Sequence, residues 1–153
     1  MKITDFLAPE LVVADLEAGT KDEALQFLAG RVASVVSELD EAEILSVIKE
    51  REALGSTGIG RGIAIPHGKL GGLEEVIVLF ARSEKGVEFA AVDGNPVHLI
   101  FLLLAPENAA GTHLKILARI SRMLKKDEFC RKLLELSAPE DLYALIRSED
   151  ENA

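Results

Sequence analysis

The stretch VHLIFLLL at residues 97–104 is apolar at every position except His98. A second apolar stretch, VIVLFA, occupies residues 76–81. Strands without polar alternation are typical of a sheet that is covered on both faces. The first stretch follows DGNP at residues 93–96, a sequence typical of turns. We therefore predict two central strands, neither of which is long enough to cross a bilayer.

Helix signals precede this block of strands. Thr20 is followed three residues later by Glu23, which forms a capping box, and the apolar spacing behind it predicts a helix over about 20–38. Asp40 and Glu43 repeat the pattern for a second helix, which ends at the glycine-rich segment that follows. Both helices carry an apolar face, so we expect them to pack on the sheet.

Three more helices are predicted after the strands. Thr112 and Asp127 are the expected caps of the first two. Ser137 with Glu140 forms a further capping box, with Pro139 in the first turn of the last helix. The acidic end of the chain follows these signals and is expected to fray.

The order of these elements predicts the fold. Residues 11–13 and 63–65 are shorter strand candidates, and residues 88–92 form a weak one. Helices before and after a block of buried strands predict an α/β sandwich with helices on both faces of the sheet. We expect a single domain over residues 1–153, of which residues 148–153 form the frayed tail.

Composition excludes several classes of function. The chain has 153 residues, with 17 Lys and Arg against 26 Asp and Glu, and a formal net charge of −9. Nucleic acids and anionic membrane surfaces select proteins with an excess of basic residues, so neither is expected as the principal partner. Cys130 is the only cysteine, which excludes an internal disulfide. Without a recognisable signal peptide at its beginning, the chain is expected to be cytoplasmic and not inserted in a membrane.

Glycine is concentrated in one segment of the chain. Seven of the twelve glycines lie between Gly55 and Gly72, a density that lets backbone N–H groups approach an anion. A Walker A loop has four residues between its glycines, whereas five residues separate Gly62 from Gly68. The earlier glycines lack the dinucleotide-binding spacing and precede a strand instead of following one. Neither nucleotide motif is therefore present.

One histidine stands out in this segment, which reads REALGSTGIGRGIAIPHGK over residues 51–69. His67 lies between Pro66 and Gly68, so its imidazole is expected to point outward from the end of a short apolar strand. A neutral imidazole nitrogen is a competent nucleophile toward phosphorus. Three cations close to it in sequence suit the charge of a phosphoryl group: Arg51, Arg61 and Lys69.

The segment from Gly55 to Lys69 resembles the active-site signature of the enzyme IIA domains of the bacterial phosphoenolpyruvate-dependent phosphotransferase system. The likeness is to the fructose/mannitol class, and within it to the stand-alone nitrogen-regulatory members. It extends over nearly the whole chain and includes the pair RE at 51–52, NPV at 95–97 and THL at 112–114. One departure is Arg61, where members of the family often carry Asn, and His98 stands where Asp is frequent.

The resemblance implies a fold and a chemistry. Members of the family fold around a mixed sheet and need neither metal nor organic cofactor. The residue matching His67 receives a phosphoryl group from a small phosphocarrier protein of the HPr or NPr type, and those matching Arg51 and His113 hold the phosphate. Phosphate contacts are also expected from the glycine segment: Ser56, Thr57 and Gly68. Partner or charge contacts are expected from Arg61 and Lys69.

Several of these residues have more than one interpretation. His113 is either an ordinary surface residue at a helix start or a neutral imidazole that donates to phosphate, and we favour the second. His98 lies within a strand pattern and is predicted to be a hydrogen-bonded structural residue. No two histidines have the spacing of zinc ligands on one element, so no metal site is predicted. Cys130 is predicted to pack as a small apolar residue.

The resemblance leaves more than one role open. The first is a histidine phosphoryl carrier that acts mainly as a phosphorylation-dependent regulator of nitrogen, potassium or carbon metabolism, through downstream protein targets. The alternative is a sugar-transport IIA subunit that passes phosphate to a cysteine of a IIB domain. In either role the chain is a phosphotransferase component with a covalent phosphohistidine and no small-molecule turnover of its own.

Overall fold

The structure is a computed structural model that describes residues 2–153. Within that range two 3-10 turns, Ile3–Asp5 and Pro9–Leu11, precede the first strand. The remaining elements follow in chain order: β1 (Val12–Val13), α1 (Lys21–Val35), α2 (Glu41–Ala53), β2 (Gly58–Gly60), β3 (Ile63–Ala64), β4 (His67–Leu70), β5 (Ile77–Val87), β6 (Val97–Pro106), α3 (Ala110–Leu124), α4 (Asp127–Glu135) and α5 (Pro139–Glu151).

β6 is the central strand of a mixed sheet. The strand order is β1-β5-β6-β3-β2, with β5 antiparallel to β6 and β1 parallel to β5. β3 and β4 both pair in parallel with β6, one after the other along the same edge. Ile63 lies opposite Leu99, and His67 lies opposite Leu103. This edge places His67 at the first residue of a strand, directly beside the core.

Helices cover both faces of the sheet. Every residue of β6 except His98 is buried, as expected for a strand that is covered on two sides. α1 and α2 pack on each other and on β5 and β4, whereas α3, α4 and α5 pack on β6, β5 and β1. The predicted α/β sandwich with a mixed sheet is confirmed. No helix in residues 2–153 is long and apolar enough to cross a membrane.

The strands differ from the sequence prediction in their extent. β5 continues past the apolar stretch to Val87, because Arg82 still pairs with Leu99 of β6. The weak strand predicted at residues 88–92 is wrong beyond a single bridge at Glu88, since Ala90 has a φ of 55° that breaks an extended backbone. β2 and β4 were not predicted, because their glycine-rich sequences form strands only through pairing with neighbours.

The N-terminal caps of the first two helices are confirmed. The Glu23 backbone N–H donates to the Thr20 hydroxyl at 3.3 Å, and the Thr20 N–H donates to the Glu23 carboxylate at 3.2 Å. Asp40 accepts the Glu43 N–H at 3.3 Å and caps α2. α1 ends at Val35, earlier than the predicted end near residue 38, because the backbone leaves the helical region at the next residue.

The later caps are wrong in position. α3 already begins at Ala110, so Thr112 lies inside its first turn and does not cap it. α4 begins at Asp127 itself, and α5 begins at Pro139 without a cap from Ser137. None of these three helices has a side-chain cap, so the backbone that enters each helix sets its start. The prediction of Pro139 in the first turn is confirmed.

The frayed tail predicted from residue 148 onward is wrong, since α5 is helical to Glu151. Asp150 is completely buried and accepts hydrogen bonds from the Thr4 N–H at 3.0 Å and from Arg119 Nε at 2.6 Å. Burial alone would raise the pKa of Asp150, but the hydrogen bonds from Thr4 and Arg119 outweigh it and lower the pKa. A contact across most of the chain length therefore holds this end, and such a contact leaves no local pattern in the sequence.

Candidate functional site

His67 is held in one tautomer by its own backbone neighbourhood. Its Nδ1 lies 2.9 Å from the carbonyl oxygen of Ile65. A carbonyl oxygen can only accept, so Nδ1 carries the proton and donates it. Nε2 is then the unprotonated nitrogen, with its lone pair directed away from the strand. The half-buried imidazole therefore presents a nucleophilic nitrogen rather than an N–H.

Arg51, in the last turn of α2, lies against that lone pair. Its Nε donates to His67 Nε2 at 3.3 Å, and its Nη1 donates to the carbonyl oxygen of Gly55 at 2.9 Å. The second bond fixes the plane of the guanidinium relative to the imidazole. A permanent positive charge thus lies beside the unprotonated nitrogen of His67.

His113 forms an imidazole pair with His67. It lies in the first turn of α3, and its ring centroid is 5.5 Å from that of His67 in an edge-on arrangement. Burial, with added repulsion from His67 and Lys69, lowers the pKa of His113, which keeps this imidazole neutral at neutral pH. Its Nε2 is buried and has no hydrogen-bond partner among residues 2–153. Buried polar atoms are rarely left without a partner, so this nitrogen is suited to a ligand that arrives from outside.

Glu52 was not predicted as a site residue beyond its place in the RE pair, yet it organises the loop before His67. Its carboxylate accepts the Thr57 backbone N–H at 3.2 Å and the Thr57 hydroxyl, and it forms an ion pair with Lys21 Nζ at 2.8 Å. The burial of Glu52 could have been predicted from the sequence. Glu52 continues the buried face of α2 after Ile44 and Ile48, at steps of four residues.

The glycine segment supports the imidazole mainly through packing. The sequence predicts phosphate contacts for Ser56, Thr57 and Gly68. Ser56 and Thr57 lie in the segment that leads to His67, and Gly68 follows it on β4. The Ser56 hydroxyl donates to the Phe89 carbonyl at 3.2 Å, and the Thr57 hydroxyl donates to the buried carboxylate. A Cβ on Gly68 would lie 2.5 Å from Val47 Cγ1, so glycine is required for α2 to approach the strand.

The two other predicted cations have different positions. Lys69 is exposed on β4 and lies near enough to His113 to contribute to its lowered pKa. Arg61 forms an ion pair with Asp127 at the start of α4, and its backbone, with a φ of 59°, donates to Asp93 at 3.0 Å. The structure therefore brings Lys69, but not Arg61, into electrostatic contact with the imidazole pair.

Two predicted structural residues have the expected surroundings. His98 Nδ1 donates to the Ser83 carbonyl at 2.9 Å, and its ring packs against Gly86, which confirms the prediction of a hydrogen-bonded structural histidine. Cys130 is half-buried and donates to the Leu124 carbonyl at 3.2 Å, and burial raises the pKa of its thiol. Among residues 2–153 no group of three or more His, Cys, Asp or Glu side chains could hold a metal ion.

Four exposed apolar side chains lie on the glycine segment or on chain next to the elements that carry the imidazole pair. Leu54 follows the end of α2 and is 85% exposed, and Leu114 follows His113 and is 66% exposed. Ile59 and Val92 lie side by side, because the Val92 N–H donates to the carbonyl of the residue before Ile59. We call Leu54, Ile59, Val92 and Leu114 the apolar rim. Apolar residues exposed together are typical of protein interaction sites.

The imidazole pair lies apart from the best-formed cleft. A cleft of about 670 Å³ lies elsewhere, lined by segments within residues 4–11, 35–39 and 72–77 together with Tyr143, and it includes neither His67 nor His113. An imidazole that lies outside this cleft suits a macromolecular partner better than an enclosed small molecule.

Comparison with known proteins gives a consistent result. The family model described as "Phosphoenolpyruvate-dependent sugar phosphotransferase system, EIIA 2" matches residues 5–149. A nitrogen regulatory protein of Bradyrhizobium diazoefficiens is 43% identical over 146 residues, which cover 95% of each chain. A fructose-specific EIIABC component of Bacillus subtilis is 33% identical over 150 residues, 98% of this chain and 24% of that protein. The crystal structure of the nitrogen regulatory protein IIA-Ntr from Neisseria meningitidis superposes with a TM-score of 0.87 at 35% identity, covering 94% of this chain and 98% of that one.

Proposed function

Because the chain belongs to the EIIA 2 family of the phosphoenolpyruvate-dependent sugar phosphotransferase system, we propose that His67 Nε2 is the atom that accepts the phosphoryl group. The observation that carries this proposal is the hydrogen bond from His67 Nδ1 to the Ile65 carbonyl. It leaves the lone pair of Nε2 beside Arg51, where an incoming phosphorus atom meets a nucleophile and a positive charge together.

The transfer balances without a further reactant. The lone pair of His67 Nε2 forms the new N–P bond while the N–P bond of a phosphohistidine on the donor protein breaks. The electron pair of the broken bond returns to the donor's imidazole. The proton on His67 Nδ1 stays in place, because the Ile65 carbonyl stabilises the positive charge that the phosphorylated ring acquires.

Arg51 and His113 have distinct roles in this step. The Arg51 guanidinium turns from Nε2 to an oxygen of the phosphoryl group and offsets its negative charge. His113 is neutral, so its Nε2 can carry a proton and donate it to another phosphoryl oxygen. That contact would satisfy the buried nitrogen that now has no partner. Lys69 adds a more distant positive charge on the same side.

The donor that fits this surface is a small phosphocarrier protein of the HPr or NPr type. The apolar rim offers exposed contact area, and Leu54 and Leu114 adjoin the two elements that carry Arg51 and His113, so that two histidines can meet across a protein interface. The proposed place of this exchange is the cytoplasm, the compartment that the composition favours.

We further propose that the phosphorylated state acts mainly as a regulatory signal in nitrogen, potassium or carbon metabolism. The higher identity to a nitrogen regulatory protein than to the fructose-specific component supports this role. Phosphorylation changes the charge at His67, which is sufficient to alter the choice of partner. The second candidate is transfer from His67 to the cysteine of a IIB domain, for which the fructose-specific relative is the supporting observation.

Incubation of the purified chain with a phosphorylated phosphocarrier tests the proposal. We expect an acid-labile, base-stable adduct that is lost in His67→Ala and kept in the matched control His98→Ala. Labelling that survives in His67→Ala would refute the assignment. Adding a IIB domain then separates the two roles, because loss of the label to its cysteine indicates transport, whereas retention indicates regulation.

A further inference from the structure

We propose that Glu52 is a positioning residue for His67, because together with its neighbour Arg51 it closes a ring of hydrogen bonds around the imidazole. The consequence for transfer rests on the proposed function of His67, whereas the ring itself is a feature of the unphosphorylated protein. Glu52 touches neither His67 nor any reacting atom, so its effect is exerted through the residues between them.

One side of the ring is direct. Arg51 Nε donates to His67 Nε2 at 3.3 Å, which places the guanidinium at the nitrogen that reacts. Arg51 and Glu52 are consecutive residues at the end of α2, and their side chains diverge. The arginine points toward the imidazole, and the glutamate points into the buried interface with the glycine segment.

The other side runs through the backbone of two residues. The Thr57 N–H donates to Glu52 at 3.2 Å, and the Thr57 carbonyl accepts the Ile65 N–H at 3.0 Å. The Ile65 carbonyl in turn accepts the proton of His67 Nδ1 at 2.9 Å. Each bond fixes the residue that makes the next one. The two imidazole nitrogens are therefore linked to two consecutive residues of α2. Nε2 is linked directly to Arg51, and Nδ1 is linked through Ile65 and Thr57 to Glu52.

Charge balance within the ring depends on Lys21. Glu52 is 8% exposed, and a buried carboxylate beside Arg51 would attract the guanidinium if it had no other cation. Lys21 Nζ lies 2.8 Å from that carboxylate, at the start of α1, and 5.0 Å from the centre of the Phe89 ring. Because Lys21 neutralises Glu52, the charge of Arg51 remains directed at His67.

The experiment uses Glu52→Gln in the full chain, with Asp150→Asn as the matched control. Both substitutions remove the charge of a buried, ion-paired carboxylate, but Asp150 has no contact with the ring. Nitrogen NMR of the unphosphorylated protein reports which nitrogen of His67 carries the proton. The rate of phosphoryl transfer at saturating donor, separated from the KM for the donor, reports the consequence.

We expect Glu52→Gln to convert His67 from a single Nδ1–H tautomer to a mixture, and to slow transfer on the order of tenfold with KM little changed. Asp150→Asn should lose stability but keep both the tautomer and the rate. Glu52→Asp, which keeps the charge on a shorter arm, should recover part of the rate. An unchanged tautomer and rate in a folded Glu52→Gln would overturn the proposal.

Lys21→Met provides a second route if Glu52→Gln does not fold. It leaves the carboxylate without its cation, so Arg51 should turn toward Glu52 and the Arg51 bond to His67 should weaken. We expect a reduced rate at normal KM, and an unchanged rate would count against the ring. A wild-type protein that shows the single tautomer but takes no phosphate at His67 would refute the proposed function and leave the ring intact.

Discussion

His67 on β4 and His98 on β6 make the same kind of hydrogen bond through Nδ1, but the surroundings of the two rings differ. Each donates from Nδ1 to a backbone carbonyl at 2.9 Å, Ile65 in one case and Ser83 in the other. Around His67, Nε2 accepts a hydrogen bond from the Arg51 guanidinium, and a second imidazole, that of His113, lies 5.5 Å from the ring between centroids. The His98 ring, by contrast, packs against Gly86 with its Cε1 and Nε2 side. A fixed tautomer is therefore common to both, and the surroundings of Nε2 distinguish the proposed phosphoryl acceptor from the structural histidine.

The largest effect on transfer should come from removing His67, with the removal of His98 as the comparison. His67→Ala should lower phosphorylation by at least about a thousandfold, since the nucleophile is removed. His98→Ala should retain full phosphorylation and lose stability instead. Radiolabel transfer and thermal unfolding of both variants make the comparison, and equal labelling of the two would break it.

The next effect concerns the cation that only His67 possesses. Arg51→Met should slow transfer roughly a hundredfold, because the charge that develops on the phosphoryl group loses its nearest donor. Arg31→Met is the matched control, since Arg31 packs on the Phe27 ring and belongs to α1. Stopped-flow kinetics of phosphate uptake measure the difference. If Arg51→Met transferred as fast as the control, the guanidinium would have no part in the reaction.

A smaller effect is expected from His113, with a pH dependence. His113→Gln should slow transfer about tenfold, because a flexible amide donor replaces the imidazole donor that packing holds in place beside the phosphoryl group. Burial lowers the pKa of His113 in the folded state below its unfolded value of about 6.5. Its contribution to stability is therefore complete above that value and is lost as the pH falls toward the folded pKa. Between pH 7.5 and pH 5.5 the unfolding temperature should fall more for the wild type than for His113→Gln. An equal fall in both proteins would contradict the buried, neutral imidazole.

The smallest effect on transfer should come from disturbing the surroundings of His98. Gly86 has a φ of 93°, and a Cβ there would lie 2.8 Å from Pro96 Cβ and 3.0 Å from His98 Cε1. Gly86→Ala should reduce the free energy of unfolding by about 1–3 kcal/mol. Transfer at a temperature where the variant is folded should be unchanged. A rate as low as that of Arg51→Met would show that the two histidines are not independent.

The parts of the fold that could be predicted from the sequence are those with a local pattern. The long apolar strands and the Thr20 and Asp40 caps are visible because the residues that form them are neighbours in sequence. β2 and β4 are not, since GIG and HGKL are extended only by pairing along β3 and β6. The helical end of α5 is not predictable from the sequence for the same reason, because Asp150 accepts a hydrogen bond from Thr4, which is 146 positions away.

The candidate site divides in the same way. The segment around His67 is contiguous, so its sequence alone indicates His67 as the candidate nucleophile, and the family resemblance adds Arg51 and His113 as candidates. The ion pair that orders the segment joins Lys21 at the start of α1 to Glu52 near the end of α2. It depends on how the two helices pack, so no local sequence pattern predicts it. Arg61 was grouped with the site cations by sequence distance, yet folding brings it to Asp127. Sequence proximity predicts chemistry within a loop but not which charges meet between elements.

The central claim is that the phosphoryl group is bonded to Nε2 of His67, because Nδ1 is occupied by the Ile65 carbonyl. Phosphorus and nitrogen NMR of the phosphorylated, nitrogen-labelled chain distinguishes the two imidazole positions directly. We expect a single phosphohistidine whose phosphorus couples to Nε2 of His67, with the proton still on Nδ1. Phosphorus coupled to Nδ1, or to either nitrogen of His98 or His113, would contradict it.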